Sequence, residues 1–228
     1  MLPIENDYET KCLCILVIDT SGSMNANNVI AELNDSLNRF KEVIMQDCVT
    51  KSMLELGIIT FDSDVKVIQQ PDKLTNIEIP RLRAQGFSLL VPAIEEAQKL
   101  VEKREEHYKI RGIPYYRPRI IVITNGSHLD KGQDIARIAS KIKSDVANKC
   151  YCFDLIDIGD MQNSVLSTLE TKEMSILRMP INKIKFEELF ALSKLQIEAD
   201  FEPTPYPYDQ SDLECSSNWM DIFTLENI

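Results

Sequence analysis

The run Leu13-Cys14-Ile15-Leu16-Val17-Ile18 is apolar at every position and stops abruptly at Asp19-Thr20-Ser21-Gly22-Ser23-Met24. A strand with no polar alternation is covered on both faces, which places it in the middle of a parallel sheet. Arg119-Ile120-Ile121-Val122-Ile123-Thr124 repeats the pattern and is followed by the turn Asn125-Gly126-Ser127. In open α/β sheets, ligands gather at the carboxyl ends of such strands. A carboxylate, two hydroxyls and a glycine at that end bring hard oxygen ligands together, and these suit a cation that keeps several waters, as magnesium does. The same residues also make an Asp/Ser helix cap with a turn glycine, and the motif in isolation does not separate the two readings.

The remaining segments alternate between strand and helix. Val29, Ile30, Leu33, Leu37, Phe40, Val43 and Ile44 recur at helical spacing and predict an amphipathic helix from Asn27 to about Gln46. Strands are predicted over Met53 to Phe61 and Val65 to Ile68, the second being the antiparallel edge after the Asp62-Ser63-Asp64 turn. Pro71 to Arg83 reads as loop with one helical turn, and Val91 to His107 as a long helix with Pro92 near its start. Then come a helix from Gly132 to Ala147, a strand from Cys150 to Ile158, and a short helix from Met161 to Leu169. A short strand from Ser175 to Met179 and a closing helix from Phe186 to Ile197 complete the series. This rhythm predicts an α/β fold with a mainly parallel sheet.

Residues 1–11 read as a polar leader and 12–199 as one domain, with 200–228 an acidic, proline-containing tail. The tail ends in an apolar stretch where Trp219, Ile222, Phe223 and Leu225 are candidate contacts. A net charge of −11 argues against a nucleic-acid backbone or an anionic membrane surface as partner. No apolar run is long enough for a membrane-spanning helix. Four of the six cysteines form two C-x-C pairs, Cys12/Cys14 and Cys150/Cys152, within predicted strands. That spacing lacks the zinc knuckle, and we read them as core thiols of a cytoplasmic protein. There is no G-x-S-x-G elbow and no Walker A loop, so catalysis is the minority reading.

Asp-x-Ser-x-Ser after the first strand resembles the metal-ion-dependent adhesion site (MIDAS) of von Willebrand factor A (VWA) domains. Three further features match in order: Ser88 after Gly86-Phe87, Asn125-Gly126 after the fourth strand, and the Ile59-Thr60-Phe61-Asp62 ending of the second strand. The resemblance spans residues 12 to 199 and implies a Rossmann-like, doubly wound, mainly parallel six-stranded α/β sheet with the strand order 3-2-1-4-5-6. It also implies Mg²⁺ (or Mn²⁺) held by Asp19, Ser21, Ser23, Ser88 and Asn125, with an acidic residue of a partner protein completing the coordination. Gly22, Phe87 and His128 would lie beside the partner. Asn125 stands where the family usually carries aspartate, and the lost charge weakens metal binding.

Gly112-Ile113-Pro114-Tyr115-Tyr116-Arg117-Pro118 is similar to the connector of bacterial TerY/YegL-like VWA proteins. That resemblance implies a stress-response or defence system containing a PP2C-type phosphatase and a Ser/Thr kinase. On physical grounds Tyr115 and Tyr116 serve equally well to pack the connector down. Two other functions stay open: a metal-free scaffold binding through its tail, and a metal-dependent hydrolase.

Overall fold

The structure, a computed structural model, describes residues 9–126, 130–159, 166–169 and 176–178. The closing helix, the tail with Trp219, Ile222, Phe223 and Leu225, most of the leader, and His128 lie outside the described residues.

The first strand, β1 (Cys12–Asp19), is buried over all but its first residue. Leu13, Ile15 and Val17 enter one core cluster, and Cys14, Leu16 and Ile18 enter the other. A strand that serves two cores must be central. Accordingly β1 pairs in parallel with β2 (Leu54–Phe61) on one side and β4 (Arg119–Thr124) on the other. With β3 (Val65–Lys73), β5 (Cys152–Asp157) and β6 (Ile176–Arg178), the sheet runs in the order β3-β2-β1-β4-β5-β6. Only β3 is antiparallel to its neighbour.

β3 is longer than its alternation predicts, continuing through Pro71 to Lys73 instead of ending at Ile68. Proline is tolerated in an edge strand because a missing donor there breaks no second ladder. Gln70 and Pro71 together oppose the single residue Gly57, between the pairs Ile58↔Gln69 and Leu56↔Asp72. This is a bulge. Gly57 makes room for it, since a Cβ there would stand 3.2 Å from Pro71 Cγ and 2.7 Å from Ile15 Cδ1.

Helix α1 (Val29–Gln46) covers one face through Val29, Leu33, Leu37, Phe40 and Ile44. It starts two residues later than expected, because Asn27 and Asn28 both adopt the left-handed conformation (φ 51° and 62°) after a 3₁₀ turn. Asparagine is one of the few residues that tolerate this region. A six-residue helix, α2 (Cys48–Met53), was not legible from periodicity; Asp47 caps it, accepting hydrogen bonds from Val49 N and Thr50 Oγ1.

Helices α3 (Leu90–Arg111) and α4 (Gly132–Ala147) cover the opposite face, led by Ile94, Ala97, Val101, Ile135, Ile138 and Ile142. α3 ends at Gly112, whose φ of 64° suits glycine at that position. The connector beyond it is structural. Ile113 is buried, Tyr115 packs against Tyr108 with ring centroids 5.1 Å apart, and Arg117 donates to the Val146 and Tyr151 carbonyls.

Candidate functional site

Asp19 is fully buried at the carboxyl end of β1. Its Oδ1 accepts from Ser21 N at 2.8 Å, which folds the chain back at once into a tight loop. Its Oδ2 accepts from Thr124 Oγ1 at 2.7 Å and Ser88 Oγ at 3.2 Å. Ser21 Oγ and Ser23 Oγ are 2.9 Å apart, and Ser23 Oγ donates to Asn125 Oδ1 at 3.2 Å. Five residues predicted from three separate loops, Asp19, Ser21, Ser23, Ser88 and Asn125, therefore form one connected cluster of oxygens.

The sheet register explains the convergence. Ile18 lies beside Ile123, so the next residues, Asp19 and Thr124, are neighbours at the strand ends. Thr124 was missed as a site residue, although a hydroxyl ending an apolar strand was the signal. Asp130 was missed too. Its carboxylate accepts from Leu90 N (2.8 Å) and Val91 N (3.3 Å) and so caps α3. Pro92, the next residue, has no N–H to satisfy, so Asp130 takes up the two donors of the first turn that precede it.

Gly22 passes close to the second loop. Its N–H donates to Gly86 O at 3.0 Å, and a Cβ would come within 3.3 Å of the same oxygen. Thr20 ties the first loop to the end of β2, donating to Phe61 O through both N and Oγ1. Phe87 is 65% exposed beside the buried Ser88. Asp62 accepts from Asp64 N within its own turn and from Gln85 Nε2 on the second loop.

Burial pushes the Asp19 carboxyl above its ordinary value, and the hydrogen bonds from Ser21, Thr124 and Ser88 pull it part of the way back. A cation beside it would hold it ionised. One carboxylate, serine hydroxyls and an amide oxygen fit a hard cation such as Mg²⁺ that keeps several of its waters. The donor set is poor in charge: among the described residues, no group of three or more His, Cys, Asp or Glu is placed to hold a metal. The C-x-C pairs do not make one either. Cys14 and Cys152 both lie level with Arg119, on strands either side of it, roughly 10 Å apart.

A doubly wound sheet bearing an Asp-x-Ser-x-Ser turn at this edge defines a VWA domain. The family model described as von Willebrand factor type A domain matches residues 14–128, just over half of the chain, and the protein belongs to that family. Similar solved structures share the fold at low identity. One is the ArnB paralog VWA2 from Sulfolobus acidocaldarius (17% identical, TM-score 0.52, covering 78% of this chain and 44% of that one). Another is the vWF domain of the type V pili tip protein Mfa5 from Porphyromonas gingivalis (10%, TM-score 0.59, 86% and 98%). A third is a von Willebrand factor type A protein from Catenulispora acidiphila (14%, TM-score 0.58, 80% and 42%). The chain thus spans less than half the length of the first and third. No curated protein matches the sequence.

Proposed function

We propose that this VWA domain is a non-enzymatic binding module that captures an acidic side chain of a partner protein through a divalent cation. Asp19, Ser21, Ser23, Ser88 and Asn125 would hold the cation. The observation that carries the reading is their union in one hydrogen-bonded oxygen cluster at the carboxyl edge of the sheet. Mg²⁺ or Mn²⁺, when bound, supplies a Lewis-acidic bridge to the incoming carboxylate. The chain's own residues supply one buried charge and a fixed set of loops. With Asn125 in place of a second carboxylate, affinity is modest.

Calorimetric titration of the chelator-treated chain with Mg²⁺ and Mn²⁺, beside Asp19→Ala, tests this. Heat in the wild type that disappears in the variant is the expected result. No heat and no thermal shift in the wild type would overturn the metal bridge.

A metal-free scaffold is the second reading. It is favoured by the same hydroxyls, which already satisfy one another and Asp19 without a cation. A chain that binds its partner equally well in chelator would select it. On the resemblance of Gly112–Pro118 alone, a bacterial cytoplasmic PP2C-type phosphatase and a Ser/Thr kinase of a stress-response or defence system are the first partners to test.

A further inference from the structure

The second site loop carries two arginines that neither the fold nor the oxygen cluster uses. Leu82 is buried, and its N–H and C=O both bond to the side chain of Asn34 on α1 (Leu82 N to Oδ1 2.7 Å, Nδ2 to Leu82 O 3.0 Å). A single amide side chain thus takes the place of a strand neighbour. With Leu82 held inward, Arg81 and Arg83 on either side of it project outward and are exposed. Neither makes an ion pair or hydrogen bond with any described residue.

The loop is pinned nearly residue by residue from there to the site. Ala84 O accepts from Asn25 Nδ2 (3.2 Å), Gln85 N donates to Thr20 O (2.8 Å), and Gly86 O accepts from Gly22 N (3.0 Å). Phe87 N donates to Ser63 Oγ at 3.0 Å. Gly86 takes a φ of 68° with Ser63 directly against it, so the turn that presents Phe87 is fixed. Ser88 then reaches Asp19. The strip Arg81–Phe87 is therefore an ordered surface with an exposed aromatic at one end and a paired positive charge at the other. Its ordering cost is met before any partner arrives. At the turn that meets this loop, Asp62 is engaged within the turn and with Gln85, and Asp64 with Lys66.

We infer that Arg81, Arg83 and Phe87 select the partner of this site. They would take an acidic peptide segment whose metal-bound carboxylate is flanked by an apolar side chain and by further carboxylates. The inference rests on the metal-bridge reading for the central contact only. Guanidinium forks match carboxylates in geometry as well as charge. In a chain of net charge −11, unpaired arginines beside the site give an acidic ligand its local attraction.

The test is an array of peptides with a fixed central aspartate and varied flanks, probed in Mg²⁺ with the full chain. It is repeated with Arg81→Glu/Arg83→Glu, Phe87→Ser and Asp19→Ala. The wild type should enrich both acidic residues and an apolar residue at the flanking positions. The double reversal should lose the acidic preference, with roughly tenfold weaker binding at low salt. Phe87→Ser should lose only the apolar preference. A flat flanking profile, or one that survives these substitutions, would overturn the inference even if Asp19→Ala abolishes capture. Flank selection retained in Asp19→Ala would sink the metal bridge and leave the strip standing. A wild type that enriches no peptide would overturn the strip.

Discussion

Gly159 lies against the backbone of Asn125 so closely that a Cβ on it would stand 2.2 Å from the Asn125 carbonyl oxygen. The third site loop is therefore held from behind by the end of β5, where Ile158 N also donates to Thr124 O at 2.9 Å. Gly159→Ala must displace the Asn125 backbone and disturb its bond with Ser23. We expect a loss of about 1–3 kcal/mol, read from the urea midpoint. Gly132→Ala, where a Cβ meets nothing within 4 Å, is the matched control and should be neutral to stabilising.

Restoring a second carboxylate near Asp19 has opposite effects with and without a cation. Asn125→Asp replaces a hydrogen-bonded amide with a like charge close to an already buried anion. In chelator the variant should melt below wild type. In Mg²⁺ it should melt above it, with tighter calorimetric binding. A variant that melts below wild type in both conditions would argue that the loops do not close around an ion.

A separate polar cluster stabilises the far end of the sheet. Glu55 on β2 is almost fully buried and bonds Arg104 Nε at 2.6 Å and Tyr108 Oη at 2.5 Å, both residues on α3. Burial, then Glu55, push the Tyr108 phenol well up, so it remains a donor at all ordinary pH. Glu55→Leu strands the buried Tyr108 hydroxyl and unpairs Arg104, and should cost about 3 kcal/mol. Tyr108→Phe leaves the ion pair intact and should cost about 1 kcal/mol. A double-mutant cycle between them, measured by urea unfolding, reports the coupling.

Thiol labelling should divide the cysteines by burial. Cys48 is exposed, whereas burial pushes the Cys12 thiol up to about 11 and the Cys14 thiol well up too. The thiolate is the reacting form, so a raised value lowers reactivity near neutral pH. Alkylation of the native chain, mapped by mass spectrometry, should label Cys48 and spare Cys12 and Cys14. Labelling of Cys12 should rise about tenfold per pH unit until the solution reaches about 11. Equal labelling of all three would contradict the packing of β1.

Most of the sheet was legible because its signals are local. β1 and β4 are apolar between their ends, and α1 and α4 show a helical stripe. The convergence of the candidate residues was legible because a sheet register turns positions at strand ends into neighbours. What sequence did not reveal depends on contacts made by one side chain across the fold. Nothing near Asp130 marks it as the cap of a helix 40 residues earlier in the chain. Pro71 looks like a strand terminator until Gly57 is placed beneath it. α2 has only six residues, too few for a periodicity to register.

The amide of Asn34 at Leu82 and the carboxylate of Asp130 at Leu90 bracket the second site loop from outside. Both holders belong to other parts of the chain, and neither uses the side chain of the residue it holds. The stretch between them thus behaves as a cassette. We expect its sequence to exchange for that of another VWA domain without retuning the sheet, provided Gly86 and Ser88 are kept. Grafted onto this framework, a foreign loop would bring its own partner preference with it, and the domain becomes a chassis for reprogrammed recognition.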